Sequence, residues 1–296
     1  KALREAYPDA IASHKLRREI VATQLANAIV NRGGPALVPV LAALTRSDAP
    51  AIAAAYAIAR DSFDLIALNG EIDALDAKIP GKTQLGLYGA AQELVTNRMG
   101  WFLRRGVAKP GTIEPTIARY AKGVKELAGE LGSLLPEAAS QARLARIAVL
   151  TSEGVPEALA TRIASLPALA EATDIVDIAE RSKRKIGDVA RIHFGIDALF
   201  GLSSLKAAAA AVPATDDYER LARERAIETL DDAQSNLTQE AAASAKGQGT
   251  LESWLSERGE DAERTRSTVN AIASSGLTLP KLMVAAGMLA DLPRKR

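Results

Sequence analysis

The sequence predicts an all-α protein, an irregular multi-helix bundle, and three observations carry that expectation. Apolar residues recur at spacings of three and four along most of the 296 residues, and the period-two alternation of a strand is convincing nowhere. Alanine is the commonest residue and aromatics make up only 4%. The core must therefore consist largely of small side chains packed tightly between helices. Pro, Gly and Asx or Thr groups separate the periodic stretches, as helix starts and stops do.

Tyr7-Pro8-Asp9 reads as the entry to the first helix, with Asp9 as its cap, and that helix is expected to run unbroken to Arg32. Leu16, Ile20, Asn27 and Val30 fall near one face; Val21, Leu25, Ala28 and Ile29 fall near another. A helix apolar on more than one side is normally buried, so this segment is expected to be a central core helix. Gly33-Gly34-Pro35 stops it. His14, Arg17 and Arg18 lie at i, i+3 and i+4 and share a cationic face. They suit either an anionic ligand or ion pairs with acids of neighbouring helices such as Asp61, Asp64, Asp73 or Asp76. With Asn27 and Asn31, which need partners if buried, they are expected to be structural polar pins.

A short helix around Leu37 to Leu44 follows, and Ser47-Asp48-Ala49-Pro50 opens the next. Ile52, Tyr56, Ala59, Phe63 and Ile66 form its stripe, and Gly70 is expected to interrupt it before Ile72 to Ile79. Beyond Pro80-Gly81, Leu85, Tyr88, Val95, Met99 and Phe102 mark a helix ending at Arg104-Arg105-Gly106. The Gly106 to Gly111 stretch is the expected boundary between an N-terminal sub-bundle, 1–106, and a second one, 112–296, which together can form one continuous domain. Ile113, Ile117, Tyr120, Val124, Leu127, Leu131 and Leu134 then form a coiled-coil-like seam. Gly123, Gly129 and Gly132 either weaken it or permit close approach of a neighbour. With Leu135-Pro136 as its turn, 112–153 is expected to be an antiparallel helical hairpin. It either packs within its own chain or offers a subunit contact through Val124, Leu127 and Leu131.

Further on, Gly154-Val155-Pro156-Glu157 ends one helix and opens another, and Pro167 is expected to divide Leu159 to Leu166 from Leu169 to Ala179. Ile186, Val189, His193, Ile196 and Phe200 mark a longer helix reaching the alanine run Ala207 to Ala211. Pro213 stops it and Thr215-Asp216-Asp217 caps the next. Gly247-Gln248-Gly249 reads as a linker before two closing helices, Thr250 to Ala273 and Leu279 to Leu292.

Composition and motifs exclude several functions. Lysine and arginine total 37 against 36 acids, giving a net charge of +1, and this carries no electrostatic footprint for nucleic acid. With no cysteine, disulfides, thiolate metal sites and a cysteine nucleophile are all ruled out. The uncharged run Gly33 to Thr45 is too short to span a bilayer, so no membrane partner is expected. No H-E-x-x-H exists, and His14 and His193 are not at metal-ligand spacing, so no metal is expected. Gly81-Lys82-Thr83 lacks the phosphate-loop glycine five positions earlier, where Asp76 stands, and reads as a helix start. His193, on an apolar stripe with no carboxylate, Ser or Cys at motif spacing, reads as a hydrogen-bonded core histidine rather than an acid or base. Asp174, Asp177 and Glu180, like Asp73 and Asp76, read as solvated or ion-paired faces. Arg294-Lys295-Arg296 is too short to argue for a binding tail, and Lys1 in place of Met suggests a piece of a longer polypeptide.

Several segments follow a recognisable order. They are His14-Lys15-Leu16-Arg17-Arg18-Glu19-Ile20-Val21-Ala22-Thr23, Asn27-Ala28-Ile29-Val30-Asn31-Arg32-Gly33, Ala55-Tyr56 with Ala59-Arg60, and Ile72-Asp73-Ala74-Leu75-Asp76. Trp101-Phe102-Leu103-Arg104, Gly154-Val155-Pro156, Asp174-Ile175-Val176-Asp177-Ile178-Ala179 and Gln234-Ser235-Asn236-Leu237-Thr238 continue it. In that order the chain resembles the C-terminal helical region of the large bacterial NAD-specific glutamate dehydrogenases. Lys15 departs from the proline usual in that family. The resemblance implies a parent enzyme that oxidises L-glutamate to 2-oxoglutarate and ammonia with NAD, through a catalytic region upstream of the helical part. It assigns this chain no catalytic or cofactor-binding residue, in keeping with the missing G-x-G-x-x-G. The chain is expected to brace the catalytic region of its own polypeptide, within a cytoplasmic homo-oligomer, and to contribute to assembly or regulation. The alternative is an autonomous helical adaptor or ligand-binding module.

Overall fold

Left-handed turns and side-chain caps cut the chain into helices, and the computed structural model describes them over residues 14–243 and 250–294. Among the described residues there are fourteen α-helices, two short 3-10 turns and no strand. The fold is all-α. Two units divide the chain, residues 1–121 with 153–155 and residues 122–152 with 156–296.

The first unit holds α1 (Arg17–Gly33), α2 (Leu37–Thr45), α3 (Ala49–Ser62), α4 (Leu65–Asp73) and α5 (Gly81–Arg104). Its centre is α3, which touches α1, α2, α4 and α5 and buries Ile52, Ala54, Ala55, Tyr56, Ile58 and Ala59. Alanine at so many positions lets neighbouring helix axes come close on several sides. The Asp48 carboxylate accepts the Ala51 amide at 2.9 Å, and Pro50 sits in the first turn, as the sequence predicts. The stripe then breaks sooner than expected. Asp64 takes the left-handed conformation, φ 51°, and re-aims the chain, so Phe63 stays buried while Ile66 is 62% exposed. Helix α4 runs through Gly70 to Asp73 without interruption. On α5 the buried face is Leu87, Ala91, Leu94, Val95, Met99 and Phe102, and Leu85 points outward. Near its end Trp101, Phe102 and Tyr120 meet edge-on, with centroids 5.2 to 5.8 Å apart.

The first helix departs most from expectation. It begins at Arg17: His14 Nδ1 accepts the Leu16 amide at 3.1 Å and the His14 carbonyl accepts the Arg17 amide at 3.0 Å. This local turn competes with the helix at Lys15-Leu16. The expected Asp9 cap lies outside the described residues. Helix α1 buries only Ile29, and Leu16, Val21 and Val30 are exposed. Its apolar residues are split between two faces by charged and amide side chains, so α3, not α1, occupies the core.

The second unit holds the later half of α6 (Ile113–Leu134), then α7 (Glu137–Ser152), α8 (Glu157–Ala170), α9 (Ala172–Ser182), α10 (Ile186–Phe200) and α11 (Leu202–Ala210). It closes with α12 (Asp217–Ala243), α13 (Leu251–Ser274) and α14 (Leu279–Asp291). The 27-residue α12 is its axis, in contact with α9, α10, α11, α13 and α14. Asp216 accepts the Glu219 amide at 2.8 Å, while Glu219 accepts the Thr215 amide and hydroxyl at 2.7 Å each. The two Thr215 donors hold the Glu219 carboxyl below its ordinary range. Thr250 and Ser253 form a reciprocal capping box on α13. The Gly247-Gln248-Gly249 linker lies outside the described residues.

Two expected boundaries move. Helix α8 continues through Pro167 and stops at Ala170, because one lost backbone bond does not end a helix whose neighbours hold it. The predicted helix from Ile186 into the alanine run is cut at Gly201, φ 64°, where Asp197 caps α11 by accepting the Ser203 amide at 2.6 Å and hydroxyl at 2.7 Å. Along α6, Val124, Leu127 and Leu131 are buried in the chain's own packing. Gly123 is why they can be: a methyl there would overlap Val176 of α9. No single helix among the described residues is long and apolar enough to cross a membrane; α1 and α2 meet the test only as a pair bent by 91°.

Two glycines on α6 should respond in opposite directions to the same change. Gly123→Ala forces a methyl against the stiff Val176 side chain and should cost about 1–3 kcal/mol in urea unfolding. Gly129→Ala meets nothing within 4 Å and should stabilise by up to about 1 kcal/mol through helix propensity.

Candidate functional site

Where α8 stops, the sequence leaves one residue, Glu171, between two helices. Its backbone stays in the αR region, φ −72° and ψ −9°, and its carboxylate faces the interior of the second unit. His193 of α10 is fully buried there. Its Nε2 lies 3.1 Å from Glu171 Oε2 and its Nδ1 lies 3.1 Å from Thr238 Oγ1 of α12. On the other side of Glu171, Lys206 of α11 places Nζ 3.8 Å from Oε1. The same ammonium donates to Asp231 Oδ1 at 3.0 Å and to Gln234 Oε1 at 3.2 Å. Gln234 Nε2 in turn donates to the His193 carbonyl at 3.4 Å. Nearby, Ser235 donates to Asp174 at 2.7 Å. Helices α9 to α12 and the α8–α9 corner thus meet around one polar network.

Burial works against the Lys206 charge. The charges of Glu171 and Asp231, the hydrogen bond to Asp231 and the field of Asp197 outweigh it and raise the lysine above its ordinary 10.5. Lys206 is therefore a fixed cation, and its job is electrostatic.

The chain Thr238–His193–Glu171 has the connectivity of a hydroxyl–imidazole–carboxylate triad. Its hydroxyl cannot act as one, since Thr238 and His193 are both fully buried. The arrangement joins helices and does not present a nucleophile. The expectation of a hydrogen-bonded core histidine agrees with this geometry, but the carboxylate partner was missed, because Glu171 stands 22 residues away at no motif spacing. A usable signal existed on α12: Asp231, Gln234, Ser235 and Thr238 form a polar stripe at helical spacing. Of the two readings for Asp174, the solvated face is the one that fails, since it is buried against Ser235.

The pins expected on the first helix do not assemble. His14, Arg17, Arg18, Asn27 and Asn31 are all exposed. Two of the acids expected for the arginines have other cations: Arg60 holds Asp61 through both oxygens at 2.6 and 2.7 Å, and Arg32 lies 3.5 Å from Asp73. Tyr88 donates its hydroxyl to Asp73 beneath the Arg32 guanidinium. Among the described residues no group of three or more His, Asp or Glu is arranged to hold a metal ion.

The family model for the glutamate dehydrogenase C-terminal region matches residues 1–291. The chain belongs to that family. An NAD-specific glutamate dehydrogenase of Halomonas elongata is 33% identical over 236 residues, covering 80% of this chain and 14% of that protein. One of Pseudomonas aeruginosa is 29% identical over 297 residues, covering 98% of this chain and 18% of that protein. The chain thus spans less than a fifth of the length of these curated relatives. The glutamate dehydrogenase C-terminal segment seen here does not fit a dinucleotide site of the strand, glycine-rich turn and helix kind, since its described residues contain no strand.

Lys206→Met tests the network. It leaves two partly exposed carboxylates facing each other and should cost about 1–3 kcal/mol in urea unfolding, less than a fully buried pair. A raised lysine value stabilises the folded state fully below the unfolded value of 10.5, and the contribution fades as the pH climbs through the folded one. The gap between wild type and variant should therefore stay constant from neutrality to that point and narrow above it.

Proposed function

We propose that this chain is the non-catalytic helical C-terminal region of a large NAD-dependent glutamate dehydrogenase. The intact enzyme would convert L-glutamate and NAD to 2-oxoglutarate, ammonia and NADH, with NAD held outside this chain. The role of the chain is to brace the catalytic region of the same polypeptide and to contribute to homo-oligomer assembly or its regulation in the cytoplasm.

The observation that carries this reading is the lopsided coverage. Relatives named as NAD-specific glutamate dehydrogenases align along 80% and 98% of this chain, yet the chain matches only 14% and 18% of them. The internal chemistry supports it, because the histidine, lysine and carboxylates that come together in the second unit are used to hold helices.

Purified alone, the chain should form no NADH from glutamate and NAD; glutamate-dependent turnover would overturn the non-catalytic reading. In the whole polypeptide, removing it should lower the oligomeric mass seen by light scattering, or the thermal stability of the dehydrogenase. Unchanged mass, stability and rate would overturn the bracing role.

A further inference from the structure

Thr238 is the key to the proton count around His193. A threonine hydroxyl has one hydrogen to give. Thr238 Oγ1 stands 2.7 Å from the Gln234 carbonyl, which can only accept, and 3.1 Å from His193 Nδ1. The shorter contact is the back-bond that helical threonine makes to the carbonyl four residues earlier. With the hydroxyl hydrogen committed there, Oγ1 is left as an acceptor and Nδ1 must carry a proton and donate it. The other ring nitrogen then faces Glu171 Oε2 at 3.1 Å. A neutral ring protonated at Nδ1 would aim its Nε2 lone pair at a carboxylate oxygen.

We propose that His193 is held as a doubly protonated imidazolium between Thr238 and Glu171, so that one proton clasps the α8–α9 corner onto α10 and α12. The charged groups around the ring come from several elements. Glu171 at the corner faces it directly, Lys206 of α11 stands behind Glu171, and Asp231 of α12 stands behind Lys206. Asp174 of α9 is turned to Ser235. Helix α13, which packs on α10, sets Leu251 against Gly195 and commits Arg258 to Glu240. Removing the ring proton would leave Nε2 and the carboxylate with two lone pairs and no hydrogen between them, and the corner would lose this tie to α10.

The chain has only two histidines, so ¹⁵N-histidine labelling gives two rings, and His14→Gln assigns them. At neutral pH the His193 ring should show protons on both nitrogens. In Glu171→Gln the amide can donate to Nε2, so the Nε2 proton should be lost while the Nδ1 proton stays. A wild-type ring protonated only at Nε2 would mean that Thr238 donates to Nδ1; protonation only at Nδ1 would place the proton on Glu171. Either result overturns the proposal, and the wild-type spectrum decides even if the variant does not fold.

Discussion

Lys206 can stay charged inside the second unit only where carboxylates are brought to it. Taking an ammonium out of water costs several kcal/mol, recovered only by close, well-aimed counter-charges. Much of the local topology serves that requirement. The stop at Ala170 leaves Glu171 in a corner, where its side chain faces the interior. The left-handed turn at Gly201 separates α11 from α10, and α11 carries Lys206 to the axis helix. Helix α12 supplies Asp231, Gln234 and Thr238 from one stripe. Three features that look unrelated in sequence thus converge on one charge and one imidazole.

The first unit is held together differently. Its centre, α3, is an alanine-rich helix with neighbours on several sides, and its buried groups are mostly apolar. Polar pairs such as Arg60–Asp61 and Arg32–Asp73 are partly exposed and clasp its periphery, where an ion pair contributes little net stability. In the second unit charged groups pin helices, and the Thr238 hydroxyl and His193 ring are closed to solvent.

Local chemistry was legible in the sequence because it acts over a few residues. The Asp48-Ala49-Pro50 start and the Thr215-Asp216-Asp217 cap have the structure expected of them. So does the buried α6 seam from Tyr120 to Leu134. The errors came where a local signal competes with packing. Pro167 reads as a helix break, yet the helix passes through it. Helix α1 reads as buried from its apolar content, yet α3 takes the core because alanines permit closer approach.

What the sequence by itself determined is the class of fold, most helix starts and the family, because periodicity, caps and ordered motifs are written along the chain. What only the tertiary structure decided is which helix lies at the centre and which groups meet. Glu171 finds His193 across 22 residues, and His193 finds Thr238 across 45. Such pairings depend on how helices pack side by side, and the desolvation of the groups between them, not their spacing in the chain, dictates which partners they must find.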